Sequence, residues 1–204
     1  MQLIGMLDSP YVRRVAISLR LLGLPFEHRA VSVFRHLDTF RTINPVVKAP
    51  TLVCDDGEVL MDSTLILEYA QGLATAQGSL MPDAPAARPL ALRRVGLALA
   101  ACEKTVQIVY EHELRPPEKR HAPWLERVGT QLAAAYAALE ESLAARPLPP
   151  PHQQLLQDGV TVAVAWSFTQ MILPLQVARA AHPVLDAYAH EAERHPAFTA
   201  HPQS

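Results

Sequence analysis

Cysteine is scarce in this 204-residue chain, and the two that occur, Cys54 and Cys102, stand far apart in apolar contexts. That scarcity suggests neither a disulfide framework nor a clustered metal site, and a reducing, cytoplasmic home is the expectation. Basic runs are absent as well: 18 Lys+Arg against 20 Asp+Glu leave a formal net charge of -2. Such a balance gives no electrostatic footprint for nucleic acid or for an anionic membrane, so partners are expected among small molecules and other protein chains. Long apolar runs are also missing. The opening MQLIGML is too short for a signal peptide and meets Asp8 before any basic residue. The longest tract, GVTVAVAWSFTQMIL, falls short of a membrane span and carries Thr161, Ser167, Thr169 and Gln170; it reads as a core helix. No internal repeat appears. His112 and His121 flank a charged, proline-containing loop without ligand spacing, so they read as surface residues and no metal is expected.

What the chain does have is a hydrophobic share of 50%, enough for one large or two modest domains. The first eighty residues mix periods. QLIGM is of strand length, and an apolar-periodic helix then runs to Gly23, with Pro25 beyond it. FEHRAVSV suits a strand, and HLDTFRT a short helix or loop. APTLVC, the turn DDG and EVLM read as a hairpin, and a helix is expected over 63–73. This order specifies a small α/β unit with a mixed sheet. Beyond the Pro- and Ala-rich GSLMPDAPAARP the pattern is helical. Leu92, Val95, Leu99, Cys102, Val106 and Val109 make one stripe, and Leu125, Val128, Leu132, Ala135 and Leu139 another, as in a helix bundle. RPLPPPHQ breaks the chain before a third helix through Trp166, and Pro174 and Pro183 punctuate two shorter ones. The expected domains are 1–78 and 89–204, joined by a linker over 79–88.

Three stretches carry chemistry. In SPYVRRV, Ser9 and Pro10 stand at a helix start, where a serine is an ordinary cap. The third helical position is Val12, so no capping box closes the end. Arg13 and Arg14 have the wrong sign for the macrodipole, which leaves the helix start electropositive, with amides and a hydroxyl available to an anion. In NPVVKAPTL, Pro50 precedes an apolar strand and belongs at its first position or in a turn; a cis Ala49-Pro50 bond would expose the amide and carbonyl of Ala49 to an extended peptide. In DSTLILEY, Asp62, Ser63 and Thr64 are three cap-type residues where one suffices, and the surplus can receive a carboxylate. Simple capping and an ordinary strand entry account for each stretch as well.

Together and in this order, SPYVRRV, NPVVKAPTL and DSTLILEY resemble the cytosolic glutathione S-transferases, specifically the serine-type, bacterial-like ones. SLMPDAPAAR resembles that family's interdomain linker, and HPVLDAYAHEAERHPAF its last long helix with the following Pro-Ala-Phe. The resemblance implies a thioredoxin-like N-terminal domain, an all-α helical-bundle C-terminal domain, and a homodimer that uses glutathione as co-substrate for detoxification of a small hydrophobic electrophile. It implies that Ser9 hydrogen-bonds the glutathione sulfur, that Lys48 and the backbone of Ala49 before Pro50 hold the glycyl and cysteinyl portions, and that Asp62 and Ser63 take the γ-glutamyl end. Tyr11, Tyr110 and Trp166 are candidates for the second-substrate pocket. Arg13 is expected to be exposed. Two departures stand out: Val164 occupies the place of the aspartate that usually follows Thr161 in a buried helix cap, with Asp158 and Gly159 as substitutes, and VVKAP has Val where Gly is frequent. A rival reading keeps the fold as a weakly catalytic or non-catalytic interaction module.

Overall fold

The computed structural model describes residues 1–74 and 78–203. Two compact units emerge: Met1–Met81 together with Arg194–Ser204, and Pro82–Glu193. The expected boundary at residue 78 follows directly on residues 75–77, which lie outside the described residues. At the other end the division differs from the expected 89–204, because the C-terminal stretch packs with the first unit. The cause is a set of contacts no local pattern announces. The Arg13 guanidinium lies 5.4 Å from the Phe198 ring centroid, its Nε donates to the His201 carbonyl at 2.9 Å, and the His201 ring packs against Phe26.

In the first unit the order is β1 (Gln2–Ile4), α1 (Pro10–Leu21), β2 (Glu27–Arg29), α2 (Leu37–Ile43), β3 (Thr51–Val53), β4 (Val59–Met61) and α3 (Ser63–Leu73). The sheet runs β2-β1-β3-β4, with β1 parallel to β2 and the remaining pairs antiparallel. This is the thioredoxin-like arrangement. Leu3 faces Leu52 across the β1–β3 pair, and both are fully buried with Val12, Val15, Ala16 and Leu19 of α1 and Ile66 and Ala70 of α3. The hairpin forms as expected around the turn at Gly57, whose φ of +90° favours glycine. Strand β2 is shorter than FEHRAVSV promised. Its partner β1 is itself short, and past Arg29 the Ser32 hydroxyl accepts from the amides of Phe34 and Arg35, folding the chain into a turn.

In the second unit, α4 (Arg88–Glu113), α5 (Ala122–Ala145), α6 (Gln157–Ile172) and α7 (Pro183–Ala192) form an all-α bundle; the short α8 (Pro196–Thr199) belongs to the first unit. On α5 the expected stripe is largely the buried one, from Val128 through Leu139. On α4 it is not. The buried face there runs through Ala91, Arg94, Val95, Ala98, Ala101, Cys102, Thr105 and Ile108, and Leu92 is 58% exposed. The buried face of α4 is rich in alanine, with Ala91, Ala98 and Ala101 on it. Helix α6 runs past Trp166 to Ile172 and is buried from Gln157 to Trp166, as its apolar composition requires. Of the two shorter helices expected after it, only a 3-10 turn, Arg179–Ala181, precedes α7. Among the described residues no helix is long and apolar enough to cross a membrane.

Candidate functional site

The three stretches singled out in the sequence converge at one end of the first unit. Ser9 is the N-cap of α1, yet its Oγ lies 3.5 Å from the Val12 amide. A neutral N–H···O bond is usually near 2.9–3.0 Å, so the cap is loose; the hydroxyl is the acceptor in it and keeps its own proton to donate. The Ala49-Pro50 bond is cis. Neither the amide nor the carbonyl of Ala49 takes part in a backbone–backbone hydrogen bond among the described residues. Gly5 brings these two stretches together: a Cβ built there would lie 2.6 Å from Val12 Cγ2 and 3.2 Å from Ala49 Cβ, and its φ is +138°. Sequence reasoning missed Gly5, whose only local signal is a glycine at the end of an apolar strand.

Helix α3 completes the site. Asp62 is its N-cap, at φ +71°, and Oδ1 accepts from the Thr64 amide at 2.9 Å. Oδ2 faces Lys48 Nζ at 3.9 Å, with both side chains about half exposed. Ser63 is buried and its Oγ accepts from Arg14 Nη1 at 3.2 Å. No acidic residue lies in the first turn of α1, whose start keeps the positive end of the dipole, whereas at α3 the Asp62 carboxylate stands at the N-cap. The loop between them carries a second surprise at Val47, whose φ of 54° puts a β-branched residue in the left-handed region. This is the place where VVKAP departs from the more frequent glycine.

The arginines of α1 require a correction. Arg13, expected at the surface, is 1% exposed, and Arg14 is 2% exposed. Arg13 lies over the Phe198 ring of α8 and donates to the His201 carbonyl, and Arg14 donates through Nη1 to Ser63 and Thr64 at the start of α3. The pocket candidates divide. Tyr11 is half-buried on α1 and Tyr110 is 43% exposed on α4. Trp166 instead fills the helical core: it is 1% exposed, its indole N–H donates to Asp186 at 2.8 Å, and its ring meets Tyr136 edge-on. Buried tryptophans commonly sit this way, with the apolar body packed and the N–H satisfied. The helical unit also contains a half-open pocket of about 490 Å³ bordered by Val109, Ile172 and Leu173 and by the polar His112, Glu113 and Arg120.

Residues 3–77 match the family model described as glutathione S-transferase, N-terminal domain. Glutathione S-transferase U4 of Arabidopsis thaliana is 28% identical over 118 residues, covering 52% of each chain; the chain thus spans about half the length of such a relative. Solved structures match more fully. A glutathione transferase family member from Pseudomonas fluorescens Pf-5, with bound glutathione, has a TM-score of 0.84 at 28% identity, covering 100% of this chain and 98% of that one. A glutathione S-transferase from Methylobacterium radiotolerans, in complex with glutathione sulfonate, has a TM-score of 0.88 at 26% identity, covering 98% and 92%. Residues 3–77 thus resemble the N-terminal domain of glutathione S-transferases, and the chain as a whole is similar in fold to solved glutathione transferases.

Proposed function

We propose that the protein is a serine-type glutathione transferase that binds glutathione at the end of the first unit and activates its thiol for attack on a small hydrophobic electrophile. The observation that carries this reading is the loose cap at Ser9, a hydroxyl at an electropositive helix start whose proton remains free to donate. Glutathione is an extended, anionic tripeptide, and the residues present fit it. Lys48 supplies a cation for the glycyl carboxylate, and the backbone of Ala49 supplies strand-like hydrogen bonds to the cysteinyl portion. Asp62 offers a carboxylate to the γ-glutamyl amine, and Ser63 with the first-turn amides of α3 receives the γ-glutamyl carboxylate. The chemistry supplied by the bound co-substrate is that of a thiolate nucleophile, which forms a carbon–sulfur bond as the leaving group departs. Ser9 donates a charge-assisted hydrogen bond to that sulfur and remains itself unmodified. Lowering a thiol from its ordinary value near 8.5 by about two units requires roughly 2.7 kcal/mol of preferential stabilisation, within reach of one hydroxyl donor plus a helix N-terminus.

The exposed Leu65 and Tyr69 of α3 and Leu92 of α4 support a homodimer, to be checked by light scattering at micromolar concentration. The two buried cysteines, which form no disulfide among the described residues, accord with a reducing, cytoplasmic setting.

The test is the ultraviolet thiolate absorbance of protein-bound glutathione as pH is varied, on wild type and Ser9→Ala. The expected result is ionisation well below the free thiol's range in wild type and loss of most of that shift in the variant. Glutathione bound without a shift would point to the interaction-module reading instead.

A further inference from the structure

His28 has no part in the chemistry above, yet its ring is tied to the loop that carries Ser9. It lies half-buried on β2, and its Nε2 faces the Gly5 carbonyl at 2.8 Å. A carbonyl oxygen only accepts, so Nε2 carries the proton and donates, in the neutral ring and in the imidazolium alike. Gly5 is the first residue past β1: its amide still donates to the Arg29 carbonyl at 3.1 Å, but among the described residues its own carbonyl takes no backbone hydrogen bond. The imidazole therefore holds the chain where the sheet ladder lets it go. Ser9 follows four residues on, with its amide donating to the Met6 carbonyl at 3.2 Å. Gly5 also lies against both halves of the site, since a Cβ there would meet Val12 Cγ2 at 2.6 Å and Ala49 Cβ at 3.2 Å. Any shift of Gly5 moves the Ser9 hydroxyl relative to the backbone of Ala49.

Resting on the glutathione reading, we propose that His28 is a positioning residue for thiol activation: by holding the Gly5 carbonyl it fixes where the Ser9 hydroxyl stands relative to the Ala49 backbone that receives the cysteinyl portion. It acts through Gly5 and Ser9, so its loss falls on ionisation of the bound thiol and not on glutathione affinity. Misplacing a reacting group by about 1 Å can cost on the order of 100-fold, and the loss of one tether on a short loop is expected to cost about 10-fold.

Side-chain length supplies the test. The amide nitrogen of glutamine stands about as far from Cβ as Nε2 does, whereas that of asparagine matches Nδ1 and falls short of Gly5. The thiolate absorbance of bound glutathione is followed against pH in wild type, His28→Leu, His28→Asn and His28→Gln, and its dissociation constant is measured by calorimetry. His28→Leu and His28→Asn should lower the ionisation constant of the bound thiol about 10-fold while the dissociation constant stays within about threefold of wild type. His28→Gln should keep most of the wild-type ionisation. Both losses should vanish in a Ser9→Ala background, where the donor being positioned is already gone; a general loosening of the fold would add to the effect of Ser9→Ala instead. Wild-type ionisation in both His28→Leu and His28→Asn overturns the proposal, as does a loss in His28→Gln equal to that in His28→Asn, or an undiminished loss in the Ser9→Ala background. If His28→Leu does not fold, the asparagine and glutamine variants decide alone. Wild type that binds no glutathione, or binds it without a thiol shift, overturns the functional reading and the proposal with it; a wild-type shift that is insensitive to His28 overturns the proposal alone.

Discussion

The starts of α3 and α6 are solved in opposite ways. At α6 everything is enclosed. Asp158 sits in the first turn, accepts from the Gly159 amide, and forms a buried ion pair with Arg94 at 3.5 Å. Arg94 is further held by the Ser142 hydroxyl, the Ser142 carbonyl and the Arg146 carbonyl. The anion that the helix dipole favours is thus built into the chain, and the site serves the fold. At α3 the buried cation, Arg14, meets hydroxyl groups, and the first turn has no acid of its own. The acid at this start, Asp62, is about half exposed and caps the Thr64 amide instead of meeting the arginine. Two helix starts with a buried arginine behind them therefore differ in one respect: whether the carboxylate is enclosed with the arginine or stands toward solvent.

The comparison breaks most sharply at Asp158. Replacing it with alanine leaves Arg94 buried without its carboxylate, and removing one partner of a buried pair commonly costs 3–5 kcal/mol. The three remaining acceptors soften the loss, so roughly 3 kcal/mol is expected, read as a fall in the urea midpoint. Ser9→Ala should do the reverse. A cap bond of 3.5 Å contributes little, so stability should move by less than about 0.5 kcal/mol, below the usual cost of losing a cap, while the thiol shift disappears. If Asp158→Ala were harmless, or Ser9→Ala strongly destabilising, the division between a structural and a functional helix start would fail.

How much of this was legible in the sequence follows from range. Helix α3 occupies the expected span, Ser63–Leu73, because cap residues, an apolar period and a limited length are all local. The order of elements and the three converging stretches were legible for the same reason. The burial of Arg13 was not, since its carbonyl partner lies 188 residues away; the only sign was two arginines in a turn where the dipole disfavours them. The buried face of α4 was hidden because its alanines carry no strong apolar signal. Trp166 stood between pocket and core because an aromatic on an apolar helix reads the same in either place, and its burial puts it in the core. Val47 is intermediate: the departure from glycine was visible, and its consequence needed the φ of 54°. A non-glycine residue in the left-handed region costs roughly 1–2 kcal/mol, and glycine loses about 0.5–1 kcal/mol in backbone entropy. Val47→Gly should therefore raise stability by about 0.5–1 kcal/mol, a melting temperature higher by a few degrees. A lower one would mean that the valine side chain contributes more in packing than its backbone costs.

The smallest effect concerns the segment that returns to the first unit and anchors α1. His201 accepts from Arg13 through its carbonyl, and its ring Nε2 is buried without a hydrogen-bond partner among the described residues. Burial lowers its pKa from 6.5 to about 4, with the charges of Arg20, His28 and Arg13 acting in the same direction. The unfolded imidazole takes up a proton as pH falls through 6.5, whereas the folded one resists until about 4. Between those values the unfolded state binds more protons, so the stability present above pH 6.5 is progressively lost as pH falls toward 4. The ring is only half-buried, and solvent screening keeps the loss modest. His195, whose Nδ1 accepts from the Ala197 amide, is lowered by burial as well and adds a background of the same sign. His201→Gln isolates the first group: its urea midpoint should fall less steeply than that of wild type between pH 7 and pH 4.5. Parallel curves would show that His201 stays solvated, and the C-terminal segment would then be anchored by Phe198 and the Arg13 contact alone.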